Sequence, residues 1–529
     1  MTGIPRRSIL KATGALSMLS MAHGSVFAQA GSASPRRGGK LIIRRSSAWT
    51  TFDAHVATNV DPEYPLVFDY LTRYERSSKG TFEVVPGLAQ SWKVVDDNTV
   101  EFALQRNVVF HDGTPFGAKE VAWNIDRMLS HPKSTAKVNL AGLSAVDVVD
   151  THTVRMRMSR PNAALLVNLS SAADGLTAML SMEHVKKVGD EQAALRPVGT
   201  GPFEFLSWVP NQKTLYARNA KYWQEARDKG RLPYVDQVES ILQSNDQTAI
   251  LRLRSGSFHL MDQVPGSQVE ALKRVSNVTV VPTPWRASIF ALAFNARPGG
   301  KFAGVDAKKI RQAVFAAIDK KAVAHAAGHG LGHPAFTPLV SGQVGYSDAV
   351  DKHAYDPAKA RRLLTEAGVR DRMTINMAVI SRQDDNVVAQ LYQQMLSKIG
   401  IDLVLQPQDR VAWASRIRSG DFELASFFTR GRPDADGTLS SFFGEKGGVN
   451  YAGLKDAPIE DLLAQGRSTY DAAKRHAIYE RVQNEAHARC FYDFIWRREG
   501  VTVISNKVTG YVPPFSGTTS DGMTTSLSA

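Results

Sequence analysis

A few groupings in the 529-residue chain carry side chains of the right types for chemistry. Ser130-His131-Pro132-Lys133 matches the S-x-x-K of acyl-transfer enzymes, in which a serine attacks and a lysine assists. That chemistry needs partner motifs, and no K-T-G run occurs. His325, His329 and His333 are spaced by four, which on a helix would set three imidazoles on one face for a metal. Gly328, Gly330 and Gly332 interrupt any such helix, and no carboxylate or thiol is interleaved, so a glycine-rich loop is the competing reading. His111-Asp112 could pair as acid and base, but Gly113-Thr114 makes the segment read as a turn before a helix. Cys490 is the only cysteine, which excludes an intramolecular disulfide. It sits in the apolar run 490–496 and is expected to be a small buried residue rather than a nucleophile. No H-E-x-x-H, G-x-S-x-G, Walker loop or C-x-x-C is present. The chain is therefore expected not to be an enzyme and to hold neither metal nor cofactor.

The elements that would position such groups read as mixed α/β. Strands are expected at 40–44, 153–158 and 203–209, with a hairpin of 91–95 and 99–104 turning at Asp96-Asp97-Asn98. A helix over 118–129 places Val121, Ile125, Met128 and Leu129 on one face. The second half is more helical. Asp306 is expected to cap a helix carrying Ile310, Val314, Ala317 and Ile318. Asp356-Pro357 opens another, with Leu363 and Leu364 on its apolar stripe and Gly368 at its end. Asp384 or Asp385 starts a third, with Val388, Leu391, Met395 and Ile399 at helical spacing, Gly400 closing it and a strand at 401–405 following. The Ser/Thr-rich tail from Thr518 is expected to fray, and no internal repeat is visible. At about 100–200 residues per domain, the length implies two or three lobes.

Composition is ordinary for a globular protein: 43% apolar, 22% charged. A net charge of +13 would by itself suggest an anionic partner such as nucleic acid. The N-terminus points elsewhere. Arg6-Arg7-Ser8-Ile9-Leu10-Lys11, a modestly apolar stretch over 12–22, and Ala28-Gln29-Ala30 are the three parts of a secretory signal. The paired arginines resemble the twin-arginine export signal. Cleavage after Ala30 removes three basic residues and no acid, leaving 499 residues at +10. An exported chain does not meet the genome, so no nucleic-acid partner is expected. Without a cysteine at the cleavage site it is not lipid-anchored, and a free periplasmic protein is expected. Residues 31–39 read as a flexible leader. No stretch approaches the roughly 18 unbroken apolar residues of a membrane span.

Several segments in order resemble the large solute-binding proteins of ABC importers, the extracellular family that includes dipeptide-, oligopeptide-, nickel- and opine-binding receptors. Val85-Pro86-Gly87-Leu88-Ala89-Gln90-Ser91-Trp92 is similar to its P-x-L-A-x-x-W signature. Residues 107–116 (NVVFHDGTPF) are similar to V-x-F-H-D-G-T-P-F. Gly199-Thr200-Gly201-Pro202-Phe203 and Asn219-Ala220-Lys221-Tyr222-Trp223 resemble G-T-G-P-[FY] and N-x-x-Y-W. Phe294-Asn295, Arg311-Gln312-Ala313 with Ala317-Ile318-Asp319, and Asp356-Pro357 to Glu366-Ala367-Gly368 continue the match. The resemblance implies a two-lobe periplasmic binding protein fold, α/β, hinged and type II-like, with an extra subdomain inserted in lobe I. Lobe I would comprise 38–82, 203–288 and 503–529, the subdomain 83–202 and lobe II 289–502. It further implies a monomeric periplasmic receptor that buries a small-molecule or peptide ligand between its lobes and delivers it to an inner-membrane ABC permease. A nickel or metal-chelate receptor of the same family, using the histidines, and an exported hydrolase are the alternatives.

The resemblance also places the ligand. Peptide-binding members hold the ligand's α-amine on a lobe II aspartate just before an Asp-Pro-Asp-like turn. With Asp434-Ala435-Asp436 as that turn, the position falls on Gly431, between Arg430 and Arg432. Two guanidiniums would favour a carboxylate or phosphate over an ammonium; a shifted alignment would make Asp434 or Asp436 the acid, and solvated surface arginines are the competing reading. Arg382 falls near the family's arginine for the ligand carboxylate. Trp49, Thr50 and Thr51 lie where lobe I lines the cleft, and Trp413 and Phe428 are aromatic candidates for packing on the ligand or for the core. The ligand is thus expected to be a peptide or an anionic peptide-like solute.

Overall fold

The computed structural model describes residues 35–528, apart from 59–62, 78–79, 173–174, 227–229, 349, 351–352 and 516–522. The expected export signal at 1–30 lies outside the described residues. Lys40–Arg45 forms a strand whose alternation serves two cores: Leu41 and Ile43 enter one, and Ile42 packs on the other. It runs parallel to Gln237–Leu242 and Leu260–Met261. Lys213–Arg218 and Phe203–Val209 extend this lobe I sheet in antiparallel fashion.

Lobe II is built on Met373–Ile380, which lies between Ile401–Gln408 and Leu424–Arg430 and is parallel to both. Ile375, Met377 and Val379 face one core while Ala378 and Ile380 face the other. Burial on both faces explains why this strand is almost continuously apolar. Helices cover it where the capping residues specify them. Asp356 accepts from the Lys359 amide at 2.8 Å, with Pro357 in the first turn of Pro357–Glu366. Two expected starts shift. Gly304–Ala317 begins with Ala303 at the cap, so Asp306 stands inside the first turn, and its side chain is outside the described residues. Gln383–Ser397 begins one to two residues ahead of the expected acids, with Arg382 at the cap. No helix among the described residues is long and apolar enough to cross a membrane.

Two long strands join the lobes. Val278–Phe294 (17 residues) and Tyr492–Ser505 (14 residues) run antiparallel. At one end Tyr492–Ser505 pairs with Leu260–Met261 of lobe I; at the other Val278–Phe294 pairs with Leu424–Arg430 of lobe II. Between the ends the register slips: Thr283 faces Gly500 but Ser288 faces Arg498, so residues 284–287 stand against Glu499 alone. A Cβ on Gly500 would come within 2.8 Å of the Thr283 hydroxyl, so the crossing point needs glycine.

Between the two segments of lobe I lies a four-stranded antiparallel sheet covered by Ala118–Ser130, whose Val121, Ile125 and Met128 are buried against it. The sheet is an internal repeat, contrary to the sequence reading. In the hairpin of Ala89–Asp96 and Thr99–Leu104, Ala89 faces Leu104, Val94 faces Val100 and Asp96 faces Thr99. In the hairpin of Leu143–Asp150 and Thr153–Met158, Leu143 faces Met158, Val148 faces Val154 and Asp150 faces Thr153. Every position recurs 54 residues on, register slips included. The two stretches share Val-Val-Asp-x-x-Thr-Val at the turns and little else. The tail also departs from expectation: Ser526–Leu527 pairs with Val508–Thr509, and Met523 packs beside Tyr222.

The quoted motifs clasp one another. The His111 amide donates to the Gly199 carbonyl and its ring Nε2 to the Gly201 carbonyl, both at 2.9 Å. Asp69 collects the Thr200 hydroxyl (3.1 Å), the Tyr222 hydroxyl (3.0 Å) and the Trp223 indole (2.8 Å). Burial raises the Asp69 carboxyl to about 6 against the pull of these donors and lowers His111 to about 4.

Candidate functional site

A cavity of about 1030 Å³ lies against the crossing strands. Lobe I contributes residues 44–47 and 262–267, the crossing strands 285–288 and 498–501, and lobe II 429–434. Arg160 and its neighbours from the inserted subdomain close another side. The position follows from topology: the first strand and Leu424–Arg430 both end here, at carboxyl ends of parallel strands, where open α/β sheets leave a crevice.

The lobe II corner is the segment after Leu424–Arg430. Asp434 caps Ala435–Phe443 by accepting from the Asp436 amide at 2.8 Å. It also receives both Nη atoms of Arg475 at 2.6 and 2.7 Å, and both side chains are buried. The backbone before it is pinned from several sides. The Arg432 amide donates to the Thr438 hydroxyl at 2.9 Å, and the Gln343 amide group donates to the Arg432 carbonyl. The Tyr74 hydroxyl donates to the Pro433 carbonyl at 3.2 Å. This fixed loop holds the exposed Arg430 and Arg432 side chains at the cavity wall.

The acids of the wall are already partnered. Among the described residues, six carboxylates line the cavity. Glu63 meets Arg45 at 3.1 Å, Asp246 meets Arg44 at 2.6 Å, and Asp262 meets Arg286 at 3.7 Å. Asp434 holds Arg475, Asp436 meets Arg467 at 3.1 Å, and Glu499 lies 3.6 Å from the His333 imidazole. Burial raises the Asp262 carboxyl, against Arg286 and Arg44. Arg160 and Arg432 line the same cavity and make no ion pair with any described residue.

Of the expected site residues, the structure brings Arg430, Arg432 and Asp434 together at the cavity and puts the others elsewhere. Arg382 pairs with Asp385 at 2.6 Å and lies over the Phe428 ring at 4.2 Å. Phe428 packs on Phe290, and Trp413 is buried edge-on to Tyr451 in the lobe II core. Trp49 stacks on Phe52 and meets Tyr64 at a tilt, with Thr50 exposed beside it. The lobe I wall is instead Arg44-Arg45-Ser46-Ser47, whose signal was available: two arginines closing an otherwise apolar strand. Arg160 and Arg286 carry no comparable signal. His325, His329 and His333 do not converge: His325 ends the helix Lys320–Gly328, His329 follows in a left-handed turn, and His333 is in the short strand Gly332–Pro334. No metal-type cluster occurs among the described residues. Cys490 is buried at the end of Ala472–Arg489 with its Sγ 3.3 Å from the His487 carbonyl.

The dipeptide-binding protein of Escherichia coli (strain K12) is 25% identical over 488 residues, covering 85% of this chain and 89% of that one. HbpA2 from Haemophilus parasuis superposes with a TM-score of 0.83 at 22% identity, over 93% of this chain and 100% of that one, a likeness of fold. AgaA from A. tumefaciens R10, solved with agropinic acid, superposes at 0.71 with 26% identity, over 93% of this chain and 99% of that one. Residues 83–450 match the model for the bacterial extracellular solute-binding proteins, family 5, middle region. With two lobes, two crossing strands and a cavity between them, the chain belongs to that family and is a solute-binding receptor of the ABC-importer type.

Proposed function

We propose that the chain is a periplasmic receptor that captures a small anionic, peptide-like solute between its lobes and presents it to an inner-membrane ABC permease. The carrying observation is the charged cavity against the two long strands that join the lobes. Its volume is at the upper end of the ~300–1,000 Å³ usual for small-molecule sites. Hinge motion at Thr283 and Gly500 would convert occupancy into a shape, provided the closed form binds more tightly than the open one. In this reading Arg430 and Arg432 take the ligand's carboxylate. Asp434 holds their loop, while Arg382, Phe428, Trp413, Trp49 and Thr50 serve the lobes rather than the ligand. The agropinic acid complex of AgaA supports an acidic solute. Residues 1–30 act as a twin-arginine export signal, and the mature protein works as a free monomer without catalysis.

The test is a native mass spectrum of the mature protein purified from its own periplasm, followed by release on unfolding. A small organic anion should be released, and adding it back should reduce the radius of gyration. Binding without compaction would refute capture between lobes, and a metal-sized mass would replace the arginines with the histidines.

A further inference from the structure

The charges on the cavity wall do more than favour an anion. Five of the six carboxylates among the described lining residues already face an arginine of the chain, at 2.6 to 3.7 Å, and the sixth, Glu499, lies 3.6 Å from the His333 imidazole. A ligand ammonium entering this cavity would have to displace an arginine to reach any of these five carboxylates, and only Glu499, beside an imidazole, stands without an arginine in an ion pair with it. Arg475 cannot be displaced without leaving two buried charges, since it and Asp434 are both closed off from solvent. An ammonium buried without a counter-charge is strongly disfavoured. The unspent charges are of the other sign. Arg432 stands on the pinned lobe II loop, and Arg160 stands on the inserted subdomain at the same cavity. Each exposes a planar donor set suited to a carboxylate or phosphate.

We infer that the ligand carries no free amine and bears two anionic groups, one seated by Arg432 and the other by Arg160. This rests on the cleft being the ligand site. The class that fits is an N-acylated or otherwise amine-blocked, peptide-like dianion, with Arg160 as a binding residue from the inserted subdomain. Its amide groups would meet the neutral donors and acceptors that line the same cavity, among them Ser46, Ser47 and Gln263.

The experiment titrates a panel of di- and tripeptides into the mature protein by calorimetry, each as the free amine, the N-acetyl form and the N-succinyl form. The N-succinyl members, which are amine-free dianions, should bind at least about tenfold more tightly than the free amines. Raising salt from low to physiological strength should weaken them. Arg160→Ala should cost the N-succinyl forms about tenfold and leave the N-acetyl monoanions unchanged, whereas Arg432→Ala should weaken both. Circular dichroism of both variants checks folding; the two side chains are exposed, so neither change should disturb it. Free amines that bind as tightly as N-succinyl forms, with compaction in small-angle scattering, would overturn the amine-free inference and leave the cleft receptor standing. No binding by any N-succinyl member, or binding without compaction, would overturn the inference together with the reading beneath it.

Discussion

Asp434 is where a ligand role and a structural role make opposite predictions. Its carboxylate takes two bonds from Arg475, and the pair is 4% and 6% exposed. Arg475 also donates to the Gly466 carbonyl at 3.0 Å and the Tyr479 hydroxyl at 3.1 Å. Arg475→Met leaves Asp434 charged, buried and without its partner, which costs about 3–5 kcal/mol. Asp434→Asn retains a good helix cap, so its cost comes from stranding Arg475 and falls in the same range of about 3–5 kcal/mol. The double variant removes both charges and should cost less than the two single changes together, with a coupling of about 1–3 kcal/mol. Urea unfolding followed by circular dichroism reads all three, provided the slope with urea stays constant across the set. If Asp434 instead held the ligand's amine, Asp434→Asn would scarcely move the midpoint and would abolish binding. Single variants that each cost under about 1 kcal/mol would refute the buried-pair argument.

Two further expectations concern buried histidines and the clasp of motifs. His55 and His111 are buried and lowered to about 4, so at pH 5.5 both imidazoles should remain neutral. The unfolded chain takes up protons at these sites below about 6.5 and the folded chain only below about 4, so each histidine withdraws stability as pH falls through that window, by about 3 kcal/mol when complete. Asp69, raised to about 6, acts in the opposite sense, its contribution declining as pH rises from about 4 to 6. Histidine ring resonances that shift between pH 8 and 5.5 at positions 55 and 111 would refute this. Gly201→Ala would place a Cβ 2.6 Å from the Val67 carbonyl oxygen and 2.7 Å from the Phe68 nitrogen. Both obstacles are backbone, so a loss of about 3 kcal/mol is expected, against almost none for Gly448→Ala, where no atom lies within 4 Å. Equal thermal stability of these two variants would show that the loop relaxes freely.

Much of the fold was legible because local patterns agreed with their surroundings. Asp356-Pro357 announced a capped helix, and the strand at 153–158 showed its period of two. The motifs that carried the resemblance turn out to hold the framework: His111, Gly199–Gly201, Asn219, Tyr222 and Trp223 meet around Asp69 and do not line the cavity. A sequence match therefore reports the scaffold more clearly than the ligand. Asp69 itself went unnoticed because an isolated aspartate has no periodicity. The site was legible only in part. The resemblance put Gly431 and its arginines beside Asp434, and they line one cavity, but the arginine that pairs with Asp434 is 41 residues away on another helix. Which acid meets which arginine depends on tertiary contacts that no local pattern encodes. Trp413 and Phe428 fit a core as well as a cleft by type; in the fold Trp413 is buried in the lobe II core, and Phe428 is half-buried against Phe290.

The 54-residue recurrence in the inserted sheet inverts charge. Lys93 corresponds to Asp147 and Glu101 to Arg155, so across the four strands the outer face reads Lys93, Glu101, Arg155, Asp147 in register. At the centre Glu101 and Arg155 face each other, 2.6 Å apart. Two copies of the first hairpin brought together the same way would set glutamate against glutamate, and two copies of the second would set arginine against arginine. Like charges directly opposite are destabilising in a sheet. The sign change therefore works as a key: each hairpin accepts its sister in the same molecule and repels its own double from another. A half-folded receptor has, in this pair, a device that favours completing its own sheet over exchanging strands with a neighbour.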